Sequence, residues 1–101
     1  MYVVVREVTP LPGHEVTTAQ RDEAEALTMV LAGFHGQLTV DIGDGKHLRI
    51  AVWTSAEERA SNDTNPAVQA DLTRIDELYS DHVSAQIIGR GEVVSNTLLK
   101  V

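Results

Sequence analysis

The alternation, clustering and breaking of apolar positions along the chain predict the order strand, helix, strand, strand, helix, strand. Tyr2 to Val8 is β-branched and apolar, and Pro10, Pro12 and Gly13 end it, so the first strand is expected there. Its unbroken Val3-Val4-Val5 has the composition of a central strand covered on both faces. From about His14 to Ala32, the residues Ala19, Leu27, Val30 and Leu31 form much of an apolar stripe, and Gly33 stands where a helix C-cap belongs. The polar middle of that segment, Arg21-Asp22-Glu23-Ala24-Glu25, is a solvated face.

Two strands follow, about His35 to Ile42 and His47 to Trp53. The loop between them is set by matching faces. A connection of two or four residues pairs Ile42 with His47 and sets aliphatic residues against polar ones. A connection of three, Gly43-Asp44-Gly45, pairs Val40 with Leu48 and Leu38 with Ile50. In that register the other face carries His35 near Trp53, Gln37 near Ala51, Thr39 near Arg49 and Asp41 near His47. One face of the hairpin is aliphatic and the other is polar and titratable.

Ser55-Ala56-Glu57-Glu58 has the form of a capping box, so a short helix is expected from there to about Asn62. Asp63-Thr64-Asn65-Pro66 breaks it and starts another, with Asn65 as N-cap and Pro66 at the first helical position. Val68, Leu72, Ile75 and Leu78 or Tyr79 recur at helical spacing. The last strand is expected over Val83 to Glu92, bent near Gly89 and Gly91, before an apolar tail, Val93 to Val101. Such a tail needs a place to bury, and a partner subunit supplies one. The class is α+β: a ferredoxin-like βαββαβ unit with a four-stranded antiparallel sheet, occupying residues 1–101 as one domain.

Composition narrows the function classes. A net charge of −7 with only eight Lys and Arg argues against a nucleic-acid footprint or a polybasic membrane surface. With no cysteine there are neither disulfides nor thiolate metal sites. No apolar run is long enough for a signal sequence or a membrane span, so a cytoplasmic protein is expected. Tyr2, Phe34, Trp53 and Tyr79 are the only aromatic residues, which leaves the core to Val, Leu, Ile and Ala.

A valine-rich first strand, Pro12-Gly13 before the first helix, Gly33-Phe34-His35-Gly36, an Asp/Gly turn, Val52-Trp53-Thr54-Ser55-Ala56-Glu57-Glu58 and Asn65-Pro66-Ala67 run through nearly the whole chain. In these features it resembles the dimeric α+β barrel superfamily, most closely its antibiotic-biosynthesis-monooxygenase-like group. The resemblance implies a homodimer in which two sheets close a barrel. It also implies one of several chemistries: cofactor-independent oxygenation of quinols and polycyclic aromatics, haem degradation, lactone isomerisation, or no known activity. The haem-degrading members use a helical Trp and a His ten residues later. Those places fall at about Asn62 and Leu72 here, and neither matches.

Within that frame the candidate catalytic residues are His35, His47 and Asp41, and the candidate substrate-binding residues are Trp53, Arg49 and Asn62. Asp41 can orient His47 so that its imidazole removes a phenol proton; the plainer role is a cross-strand pair at a hairpin mouth. Trp53 can stack an aromatic substrate beside His35, or simply belong to the core. Arg49 can hold an anionic group or pair across a dimer interface. Asn62 can bond a ligand carbonyl or supply loop polarity at the helix break. His14 and His82 read as surface groups. No His-x-x-x-His or Glu-x-x-His pair occurs, so no metal and no cofactor is expected. Two functions remain: a cofactor-independent monooxygenase of a phenolic, quinol or polyketide-like substrate, or a dimeric barrel that binds a small molecule, or only itself, without turnover.

Overall fold

The computed structural model describes residues 1–97. Strand β1 (Tyr2–Pro10) is followed by helix α1 (Thr18–Met29), strands β2 (Phe34–Gly43) and β3 (Lys46–Trp53), helices α2 (Ala56–Ser61) and α3 (Gln69–Tyr79), and strand β4 (Val83–Glu92). Two 3-10 turns, Asn62–Thr64 and Pro66–Val68, join α2 to α3. The strands form one sheet in the order β2-β3-β1-β4 with every neighbouring pair antiparallel, the ferredoxin-like arrangement expected from the sequence. No helix among the described residues is long and apolar enough to cross a membrane.

The valine-rich β1 occupies a central position because its two residue sets serve two faces. Tyr2, Val4 and Val8 are buried, with Val4 fully so, and they face the helices. Opposite them across the β1–β3 ladder stand Trp53, Ala51 and His47. Tyr2, Val4, Leu31, Ala51 and Trp53 form the core, and Phe34, Leu72 and Ile75 pack against it. Val3 and Val5 point the other way, beside Val52 and Ile50, and among the described residues that face carries no helix. Leu38 and Val40 extend it and lie 53% and 42% exposed. A single chain thus covers one face of β1, where the sequence predicted both.

Helix α1 starts later than its apolar pattern predicted because Thr17 stops it. The Thr17 hydroxyl accepts from the Gln20 amide (3.1 Å), and the Gln20 side chain accepts from the Thr17 amide (2.8 Å). This reciprocal cap satisfies two orphan donors and fixes the first turn. The expected box at Ser55 is only half formed. Ser55 Oγ accepts from the Glu58 amide (3.1 Å), while the Glu58 carboxylate lies over Gly33. Gly33 turns the chain into β2 at φ +76°, and a Cβ there would meet Glu58 Cβ at 2.8 Å.

The β2–β3 register matches the aliphatic pairing, Val40 with Leu48 and Leu38 with Ile50, and places Asp41 opposite His47. The loop differs. Gly43 pairs with Lys46 around a two-residue turn, Asp44 (φ +55°) and Gly45 (φ +74°), and the register is kept by a bulge at Ile42. Both central residues have positive φ, as in a type I′ turn, whose twist suits the strands better than a three-residue loop. A second bulge, between Phe34 and Gly36, brings Phe34 rather than His35 opposite Trp53.

Candidate functional site

The polar sheet face lies beneath the helices, and two cavities open there, of about 390 and 360 Å³. The first lies toward the β2–β3 turn and is lined by His47, Thr39, Glu25 and Arg21. The second lies toward Trp53 and is lined by Phe34, Leu72, Ile75, Arg6 and Arg59. Gln37, Arg49 and Tyr79 border both. Arg49 is the partition: its guanidinium stacks on the Tyr79 ring, 4.7 Å from the centroid. Burial pushes the Tyr79 phenol above its usual range, against the opposing pull of Arg49.

The second cavity has an aromatic wall and a cationic one. Trp53 meets Phe34 edge to face, with centroids 5.1 Å apart, and the Arg59 guanidinium lies 5.8 Å from the Trp53 ring centre. Arg6 and Arg49 are direct cross-strand partners on β1 and β3. Like charges so placed repel. Burial first, then Arg59 and Arg49, holds the Arg6 guanidinium below its ordinary pKa. Among the described residues no carboxylate is within ion-pair distance of Arg6, Arg49 or Arg59, although Asp63 and Asp76 line the same cavity. Arg49 Nε and Trp53 Nε1 are buried without a hydrogen-bond partner. Buried donors are normally satisfied, so two orphans beside one cavity mark a place where a ligand or water completes the bonding.

The candidate residues do not all converge. Trp53 and Arg49 flank the second cavity, and His47 lines the first. Asp41 stands opposite His47, but its carboxylate accepts from the Gly43 amide (2.9 Å), and no hydrogen bond joins it to the imidazole. His35 is exposed, away from both cavities, with Nε2 2.8 Å from Thr54 Oγ1. Asn62 is 2% exposed and fully engaged. Its Oδ1 accepts from the Ala32 amide (2.9 Å), and its Nδ2 donates to the carbonyls of Ala32, Glu58 and Arg59. It clips the α1–β2 link to α2. His82 Nδ1 lies 3.2 Å from the His14 carbonyl, tying two loops together. No group of three His, Asp or Glu residues among the described residues is placed to hold a metal ion.

Arg6, Arg59 and Tyr79 were not singled out from sequence. Arg6 carried a signal: it interrupts an apolar central strand at the inward period of Val4 and Val8. Arg59 and Tyr79 read as ordinary helix residues, and only the packing of α2 and α3 brings them to the sheet.

This is the ferredoxin-like α+β fold of antibiotic-biosynthesis-monooxygenase-like proteins. It superposes on SnoaB from Streptomyces nogalater, described as a cofactor-independent oxygenase, with a TM-score of 0.66 at 15% identity, covering 96% of each chain. A protein from Bordetella bronchiseptica provisionally named an antibiotic biosynthesis monooxygenase gives 0.71 at 17% identity, covering 93% of this chain and 97% of that one. NE2512 of Nitrosomonas europaea, of unknown function, gives 0.66 at 15%, covering 96% and 92%. At such identities the likeness establishes the fold alone. No family model matches the sequence, and no curated protein matches it.

Proposed function

We propose that the chain is a cofactor-independent oxygenase of a phenolic or quinol-type small molecule, held between the helices and the polar sheet face and working as a homodimer. The observation that carries this reading is the pair of adjoining cavities beside the unsatisfied buried donors Arg49 Nε and Trp53 Nε1. The fold shared with a named cofactor-independent oxygenase supports it.

The chemistry asks little of the protein beyond binding and one base. His47 is the base in this reading, because it lines a cavity where His35 does not. Its imidazole takes the phenol proton, and Arg49 steadies the phenolate oxygen. The phenolate passes one electron to dioxygen; the resulting superoxide and phenoxyl radical combine at a ring carbon as a hydroperoxide. The O–O bond then breaks. The distal oxygen leaves as water with the imidazolium proton and the hydrogen of that carbon, and a quinone carbonyl remains. The phenol supplies four electrons, and the two oxygen atoms end in quinone and water.

The test is oxygen uptake with a naphthol in chelator-treated buffer. His47→Gln is expected to lower kcat about a hundredfold. No uptake across simple phenols, naphthols and hydroxyanthracenes, or an unchanged rate in the variant, contradicts the reading. Binding without turnover is the second reading. It is favoured by one observation: among the described residues nothing hydrogen-bonds the His47 ring into a fixed orientation.

A further inference from the structure

We infer that the second cavity selects an aromatic carboxylic acid, whose carboxylate Arg6, Arg49 and Arg59 hold while Trp53 and Phe34 pack against its rings. The inference rests on the reading of these cavities as the substrate site and adds the substrate's class.

Three observations carry it. First, three guanidiniums border one cavity of about 360 Å³ in a chain of net charge −7, and none is paired with a carboxylate of the described chain. Acidic residues outnumber basic ones by fifteen to eight, so unpaired clustered arginines run against the composition. Second, Arg6 and Arg49 oppose each other in the sheet ladder, and no ion pair among the described residues offsets their repulsion. Third, the Arg49 and Arg59 guanidiniums lie over the Tyr79 and Trp53 rings, 4.7 and 5.8 Å from their centres, with their N–H edges free to donate, and Arg49 Nε is buried without an acceptor. A planar carboxylate meets such edges two bonds at a time. The apolar residues Leu31, Leu72 and Ile75 on the same walls exclude a bare inorganic anion as the best fit.

Isothermal titration calorimetry with naphthoate, the neutral naphthamide and inorganic phosphate tests this on the whole chain. Naphthoate is expected to bind at least about tenfold more tightly than naphthamide, from a single charge-assisted contact upward. Arg59→Gln and Arg6→Gln are each expected to bring that ratio close to one, and Arg6→Lys to keep part of it. Arg59 lies on a short surface helix, so its variant serves if Arg6→Gln does not fold. Equal affinity for acid and amide, no heat from naphthoate at millimolar concentration, a preference that survives Arg59→Gln, or phosphate binding as tightly as naphthoate overturns the inference. Oxygen uptake with a naphthol is measured on the same preparations. Uptake without acid preference overturns only this inference; acid preference without uptake overturns only the oxygenase reading.

Discussion

At the scale of single residues, a polar side chain among packed elements serves structure in one place and is disfavoured in another. The Asn62 amide is spent on four backbone groups in a buried clip. Asn62→Ala leaves the Ala32 N–H and C=O without these partners and is expected to destabilise by about 2 kcal/mol in urea unfolding. Gly33→Ala meets both a positive φ and Glu58, so a further loss of about 1–3 kcal/mol is expected in the same measurement. Arg6 is the opposite case. Its charge is disfavoured by burial and by Arg59 and Arg49, so Arg6→Gln is expected to leave Tm unchanged or raise it while weakening acid binding. A fall of several degrees would make Arg6 a structural residue instead. Arg6 was the legible omission in the sequence, because an inward charge on a central strand conflicts with the local pattern. Burial of Asn62 was not legible, since polarity at a helix break reads the same whether it faces solvent or backbone.

Among elements, the hairpin shows what face matching can and cannot decide. Val40 opposite Leu48 and Asp41 opposite His47 followed from the requirement that apolar groups share a face. The loop did not follow. Gly43-Asp44-Gly45 allows either three loop residues or two and a bulge, and the twist of the strands favours the second. The bulge after Phe34 likewise moved His35 away from Trp53, because one extra residue shifts every face before it. Helices α1 and α3 are joined by Arg74, whose Nε and Nη2 bond Glu23 at 2.6 and 3.0 Å. The Arg74 hydrogen bond holds the Glu23 carboxyl below its ordinary 4.5. A depressed carboxylate adds stability above its unfolded pKa and loses it as pH falls through the folded one. Glu23→Gln is therefore expected to lower Tm slightly at neutral pH and to make no difference at the acid end. The difference begins to shrink near the ordinary pKa of about 4.5 and is gone below the lower folded one, and a gap unchanged at the acid end would contradict the pairing. The pair is solvent-exposed, so the effect is small.

For the whole molecule, the shortest dimension of 24 Å is that of one sheet under one layer of helices, with no helix among the described residues on the aliphatic face. Leu38, Val40, Leu48, Ile50 and Val52 share it, and the Lys46–Glu7 pair (3.4 Å) stands at its turn end. In the homodimer proposed above, this face is covered by a second copy. Leu38→Lys is then expected to give monomers in sedimentation at micromolar concentration, with a lower Tm. A wild-type monomer would contradict the dimer. Of the apolar tail, the Val93 amide donates to the Met1 carbonyl (2.9 Å) and the Val94 side chain is exposed; residues 98–101 lie outside the described residues. Fold was readable because hydrophobic period constrains every residue of an element. Chemistry was not, because it depends on cavities that the helices close over the sheet.

The most direct measurement is mass spectrometry of the quinone formed from a naphthol under isotopically labelled dioxygen. One labelled atom in the quinone, at a rate that falls about a hundredfold with His47→Gln, is the predicted result. A quinone whose new oxygen comes from solvent, or no product above the protein-free rate, would contradict the account.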